Sequence, residues 1–284
     1  MKTCMFLKLN TNYGMLIHYY HFFYGVLVPL ILLHLDTGVS CFYVDNCVSP
    51  MSNILHSLPF YINYFTKNKV IPTRGIVPKT VKKIHNLIPM DSSKSAMIKN
   101  HRALITPSDK LKICNFFEEH VPEYLRQLKY KKIVLISRKT ENLFDQLEID
   151  KIGAHPMIAV LGTTSGSNRR SIDNLIEVDN FLTDTYGDDY VQISTERTDI
   201  YYQYMVFKHA NVVIAMHGAA LSNIIFMKEG SKVIEIIPES KIREGEDTFI
   251  NLGKIFKLNY KTYVTDSNHP TINNGKLNEL ITKK

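Results

Sequence analysis

Residues 211–239, NVVIAMHGAALSNIIFMKEGSKVIEIIPE, decide how the chain is read. Residues 211–216 read as a strand whose residues 212–216 form a continuous apolar run, the pattern of a strand covered on both faces in a parallel sheet. His217 and Gly218 follow at its carboxyl end. Residues 219–227 then read as a helix, 228–231 as a turn and 232–237 as the next strand. A glycine at that junction lets the chain turn sharply and lets a ligand approach the backbone. The helix behind it aims free N–H groups and a positive dipole end at the same point, an arrangement that suits phosphate or diphosphate. His217 adds a ring donor there. It reads equally as a core histidine beside an ordinary strand–helix turn.

Outward from this block, apolar runs at 4–9, 39–44, 103–106, 132–137, 190–194 and 260–264 read as short strands. Helical patterns lie between them at 16–35, 109–128 and 197–210, with Pro122 a candidate kink. Strands separated by helices argue for βαβ units and an α/β fold. Residues 62–102 contain Lys and Pro, are weakly periodic, and are expected to be irregular. A fresh strand after the charged stretch 126–132 places a boundary near residue 130. The expectation is an N-terminal half, 1–130, and a C-terminal half, 131–284, both Rossmann-like. Ligands of open α/β sheets sit beyond the carboxyl ends of the strands, so function is sought there.

The 284 residues are 45% hydrophobic and 21% charged, with mean hydropathy −0.10, a globular balance that excludes disorder, collagen and coiled coil. The formal charge is +7, and residues 66–132 hold fifteen basic and five acidic side chains. Such a segment meets phosphates, nucleic acid or an anionic polymer, or is a set of solvent-facing lysines. The longest apolar run, 22–33, has twelve residues and contains Pro29, short of the roughly twenty that span a membrane. The first ten residues lack the apolar core of a signal peptide. Cys4, Cys41, Cys47 and Cys114 have no metal-ligand spacing. None of the twenty-one asparagines lies in a glycosylation sequon. These features predict a soluble, cytoplasmic protein without a membrane span.

Glu235 stands inside the apolar run VIEII, where a carboxylate needs a partner: the hydroxyls of a ribose, or an ion pair. Arg138 ends the strand KIVLIS, and Arg169 and Arg170 follow the loop GTTSGSN. A planar guanidinium suits phosphate. The sequence contains no Walker A, GxGxxG, GxSxG, HExxH or Asp-x-Asp motif, so no metal is expected. Glu244 and Glu246 read as solvated loop residues.

The block HGAALSNIIFMKEGSKVIEI resembles the signature of glycosyltransferase family 61: a His-Gly-Ala-x-Leu-x-Asn turn and helix, a Phe-Met, a Gly-Ser and an apolar strand carrying Glu. Here these are His217, Gly218, Ala219, Leu221, Asn223, Phe226, Met227, Gly230, Ser231 and Glu235. LISRK, at Arg138, resembles the family's Ile-Ser-Arg strand end, and RRSIDN its Arg-Arg-x-x-Asn element, at Arg169, Arg170 and Asn174. Glu196 and Gln203 match acidic and amide positions upstream of the His-Gly-Ala strand. HYYHFFYGVLVPL resembles an Asn-Tyr-Tyr-His-Phe segment, with His18 where Asn is usual. Residues 139–168 make the gap between Arg138 and Arg169 longer than the pattern expects.

The resemblance implies a GT-B architecture, two Rossmann-like domains facing across a cleft. It implies inverting, metal-independent transfer of a sugar, xylose or N-acetylglucosamine, from a UDP-sugar to a hydroxyl of a glycan or glycoprotein acceptor. The UDP-sugar is donor substrate, with no further cofactor and no nucleic acid partner. Arg138, Arg170 and the backbone of Gly218, Ala219 and Ala220 are assigned to the diphosphate with His217 assisting, and Glu235 to the ribose. Arg169, Asn174, Leu221 and Asn223 complete the donor pocket. The base that takes the acceptor's proton is expected from the N-terminal half, His21 first and Asp45 second, since a histidine titrates near neutral pH. The alternatives are an inactive transferase fold that binds sugar or protein, and a nucleic-acid-binding protein using the basic segment.

Overall fold

The computed structural model describes residues 4–9, 19–45, 52–66, 69–72, 81–87, 90–91, 103–138, 170–195 and 198–283. The described residues up to His120 form one compact unit and those from Val121 onward a second.

In the first unit, strands β1 (Cys4–Leu9), β2 (Cys41–Asp45), β3 (Tyr61–Thr66), β4 (Lys69–Pro72) and β5 (Val81–Leu87) form one sheet in the order β4-β3-β2-β1-β5. All neighbours are parallel except β3 and β4. β6 (Met90–Asp91) and β7 (Ala103–Leu104) make a small parallel pair. Residues 62–66, 69–72, 81–87 and 90–91 are therefore regular, against expectation. Strands such as VKKIHNL carry basic and polar residues that break the apolar runs by which the other strands were read.

Helix α1 (Tyr19–Thr37) is long and apolar enough to cross a membrane by length and composition, with mean hydropathy 1.2 over its apolar window. Counting only residues 22–33 missed its polar ends. Its apolar residues Phe22, Phe23, Val26, Leu27 and Leu30 are fully buried in the protein. The turn Phe23–Leu27 is π-helical, with the Val28 N–H bonded to the Phe23 carbonyl. Pro29 has no N–H to close an α-helical bond to Gly25, and the wider turn just before it absorbs the break. Gly38, at φ 67°, ends the helix in the left-handed conformation that glycine adopts without strain. Cys41 is disulfide-bonded. Helix α2 (Ser52–Ser57) follows. Helix α3 (Pro107–His120) opens with a reciprocal cap, the Asp109 carboxylate accepting from the Thr106 N–H at 2.9 Å and the Thr106 hydroxyl from the Asp109 N–H at 3.1 Å.

The second unit starts beside Pro122, which separates α3 from α4 (Glu123–Arg126) as a proline should. Strands β8 (Ile133–Ser137), β9 (Tyr190–Ser194), β10 (Val212–Met216), β11 (Lys232–Pro238) and β12 (Asn259–Thr265) form an all-parallel sheet, order β12-β11-β10-β8-β9. The order reverses between β8 and β10. Helices α5 (Leu175–Tyr186), α6 (Ile200–His209), α7 (Glu239–Arg243), α8 (Thr248–Ile255) and α9 (Asn274–Thr282) alternate with the strands. Leu135, Ile214, Ile234 and Ile236 pack in one core cluster with Leu182 of α5 and Leu277 of α9. Each such side chain contributes about 1.5–3 kcal/mol by burial.

Two polar ties fix this core. Lys232 Nζ donates to the carbonyls of Leu280, Ile281 and Lys283 at 2.9, 2.6 and 2.5 Å, closing the carboxyl end of α9. Asn223 Nδ2 donates to Gln203 Oε1 at 2.8 Å, and Gln203 Nε2 in turn to the Thr198 carbonyl at 3.1 Å. The helix after Gly218 is an eight-residue 3-10 helix, Ala219–Phe226, rather than the α-helix expected. Its sequence AALSNIIF is almost wholly apolar, so no polar face in it marked a period.

Candidate functional site

Arg138 follows β8 and His217 follows β10, neighbouring parallel strands on either side of the reversal. In open α/β sheets the crevice beyond the carboxyl ends at such a switch point is where ligands bind. Arg138 Nη2 donates to the His217 carbonyl at 2.9 Å. A Cβ on Gly218 would stand 1.8 Å from that same Nη2, so only glycine admits the guanidinium. The His217 N–H donates to the Ile236 carbonyl at 2.7 Å and continues the ladder of β10 onto β11.

The His217 ring is buried and has a carboxylate at each edge. Nδ1 lies 2.6 Å from Glu235 Oε1 and Nε2 lies 2.6 Å from Glu246 Oε2. Each ring nitrogen thus has a carboxyl oxygen within hydrogen-bonding distance. Phe249 of α8 meets the imidazole edge-on, centroids 5.7 Å apart. Glu235 pairs in register with Ala215 of β10 and is 1% exposed. Tyr260, beneath it on β12, has its phenol pKa pushed well up by burial and then by the Glu235 charge.

Glu246, expected to be solvated, is the correction with most consequence. Gly245, at φ 74°, takes the left-handed position after α7, and two bonds close the turn: Gly245 N–H to the Ile242 carbonyl at 3.0 Å and Glu246 N–H to the Lys241 carbonyl at 3.1 Å. That turn points the Glu246 carboxylate at His217. Lys241 Nζ bridges Glu244 Oε2 at 2.5 Å and Glu246 Oε1 at 3.2 Å. Burial, the largest single effect, opposes ionisation of Glu246. The hydrogen bonds and charges of His217 and Lys241 together outweigh it and hold the carboxyl below its ordinary range.

Arg138, His217, Gly218 and Glu235 thus form one connected group, with Glu246 added to it. Ala219, Ala220 and Leu221 open the 3-10 helix, and the Leu221 N–H bonds the Gly218 carbonyl at 3.0 Å. Asn223 faces Gln203 inside the core. Asn174 spends its amide on the Ile272 backbone, donating to the carbonyl at 3.1 Å and accepting from the N–H at 2.8 Å. Arg170 is buried in the segment before α5. His21 lies in the first turn of α1, its ring edge-on to Tyr20, and Asp45 ends β2. Arg169, His18 and Glu196 lie outside the described residues. Among the described residues no group of three His, Cys, Asp or Glu could hold a metal ion.

A sequence search of curated proteins gave no match. The family model described as Glycosyltransferase 61 matches residues 19–234. That span begins at α1, takes in the Arg138–His217 contact and stops one residue short of Glu235. The chain belongs to glycosyltransferase family 61.

Proposed function

We propose that the chain is an inverting, metal-independent glycosyltransferase of GT-B type, carrying xylose or N-acetylglucosamine from a UDP-sugar to a hydroxyl of a glycan or glycoprotein. Family membership supports sugar transfer. The observation that carries the donor site is the Arg138 guanidinium on the His217 carbonyl, over Gly218, at the sheet's switch point.

In an inverting transfer the acceptor oxygen attacks from the face opposite the leaving UDP, and negative charge grows on the diphosphate as the glycosidic bond breaks. Arg138, His217 and the backbone N–H groups of Ala219 and Ala220 would meet that charge, with Arg169 and Arg170 as further guanidinium groups. Glu235, assigned from the sequence to the ribose, is deeply buried and bonded to His217. We therefore assign it to holding the imidazole, so that it acts on the donor through His217. Leu221, Asn223 and Asn174 shape the pocket from behind. His21, with Asp45 second, is assigned to take the acceptor's proton, and residues 131–284 to bind the donor.

Calorimetric titration with UDP, UDP-xylose and UDP-N-acetylglucosamine in EDTA tests this reading. Uridine-selective binding that Arg138→Ala weakens is expected, together with a loss of kcat of about 10²-fold or more in His21→Ala at unchanged donor affinity. Loss of binding in EDTA, or equal binding of every nucleotide base, would overturn it. Intact donor binding without transfer to any acceptor would favour an inactive binding module.

A further inference from the structure

The two carboxylates on His217 are held very differently. Glu235 sits inside a central strand and is 1% exposed. The Glu246 side chain is 40% exposed and reaches the ring from a turn built largely on itself. That turn is braced within residues 241–246 by the Lys241 ammonium and the left-handed Gly245. Nδ1 is thus held from a central strand, and Nε2 from an exposed turn. Water reaches the Glu246 end of this pair and competes for its carboxylate, while the His217 end is buried. The carboxylate on Nε2 is also an anion of the protein's own, in the position where a donor phosphate would meet this histidine.

We propose that Glu246 is a latch on the donor site: its carboxylate holds His217 Nε2 until a diphosphate displaces it. The inference rests on the donor reading above. Lys241 and the Gly245 turn set how firmly the latch closes. Binding then proceeds by exchange of one anion for another at Nε2, and the measured affinity is the intrinsic affinity reduced by the fraction of molecules with the latch open. Glu246 is a positioning residue in this scheme. It neither touches the sugar nor moves a proton of the reaction.

Isothermal titration of UDP and of inorganic pyrophosphate into the wild type, Glu246→Ala and Glu246→Gln tests the latch, with folding of each checked by circular dichroism. A latch closed nine times in ten predicts that Glu246→Ala binds both ligands about tenfold tighter. Glu246→Gln keeps the size without the charge, covers the case in which the alanine variant misfolds, and should shift affinity in the same direction. A folded variant with unchanged or weaker affinity, beside a wild type that binds UDP, overturns the latch and leaves the donor reading intact. Failure of every protein to bind UDP overturns the donor reading and the latch with it.

Discussion

Arg138 lies so close over Gly218 that a Cβ at residue 218 would stand 1.8 Å from Nη2 and 3.1 Å from Cζ. The glycine therefore serves the arginine as well as any ligand, since it clears the space through which the guanidinium reaches the His217 carbonyl.

Gly218→Ala should dislodge Arg138, and at φ 159° the added Cβ also strains the backbone, so folding is first checked by circular dichroism. UDP affinity is expected to fall by about 1–3 kcal/mol, as in Arg138→Ala. The two changes remove the same contact, so the double variant should lose little more than the worse single one. Calorimetry on the full cycle checks this. Additive losses would show Gly218 acting on the ligand independently of Arg138.

Asn223 and Gln203 are both buried, and their bond joins the 3-10 helix to α6. Asn223→Ala leaves the Gln203 carbonyl oxygen without that donor inside the core and should cost about 1–3 kcal/mol in urea unfolding. Replacing both residues by Leu should not restore stability, since the Thr195 and Thr198 carbonyls then lose the Gln203 donor. A single-variant loss below about 0.5 kcal/mol would show the bond to be dispensable.

The second sheet was legible because β10 and β11, VVIAM and VIEII, are buried on both faces and so read as unbroken apolar runs. The helical pattern at 16–35 located the helix Tyr19–Thr37, while the apolar run 22–33 counted only its middle. Strands β3 and β5 were hidden by Asn63, Lys82, Lys83 and Asn86, which interrupt their apolar residues. Arg138, His217 and Gly218 were singled out by strand-end position and Glu235 as a carboxylate inside an apolar strand, and the structure joins the four in one group. The bond from Glu235 to His217 was not legible, because it depends on register between β10 and β11. Glu246 was invisible for another reason: in REGED nothing but the φ of Gly245 turns one of several loop carboxylates inward.

Acid should release Glu246 from His217. Its folded pKa lies below the ordinary 4.5, held there by His217 and Lys241 against burial. The stability it contributes is therefore complete above the unfolded carboxyl value of about 4.3 and disappears as pH falls through the lower folded value. Thermal midpoints of wild type and Glu246→Gln should differ at neutral pH and converge in that acid window. Glu244 and Glu235, the nearby carboxylates, remain in both proteins and cancel in the comparison. A gap that persisted unchanged at acid pH would refute the assignment.

Lys232→Met keeps an unbranched side chain but removes three bonds to the carboxyl end of α9. The expected cost is about 1.5–3 kcal/mol, as for hydrogen bonds to a charged group. Hydrogen exchange should accelerate in residues 274–282 well before the central strands. Uniform acceleration across the sheet would mean that α9 is not held locally by this lysine.

The reversal between β8 and β10 leaves one stretch of this chain open to evolutionary drift. Arg138 and His217 are 79 positions apart, yet parallel register alone brings their strand ends together. The chain leaves the sheet after Arg138 and returns through α5, β9 and α6 before reaching β10. The number of residues spent between Arg138 and α5 does not enter the arginine–glycine contact. Residues 139–168 can therefore change in number without moving the Arg138–His217 contact. The unusually long spacing that set this sequence apart from its family pattern falls in that stretch.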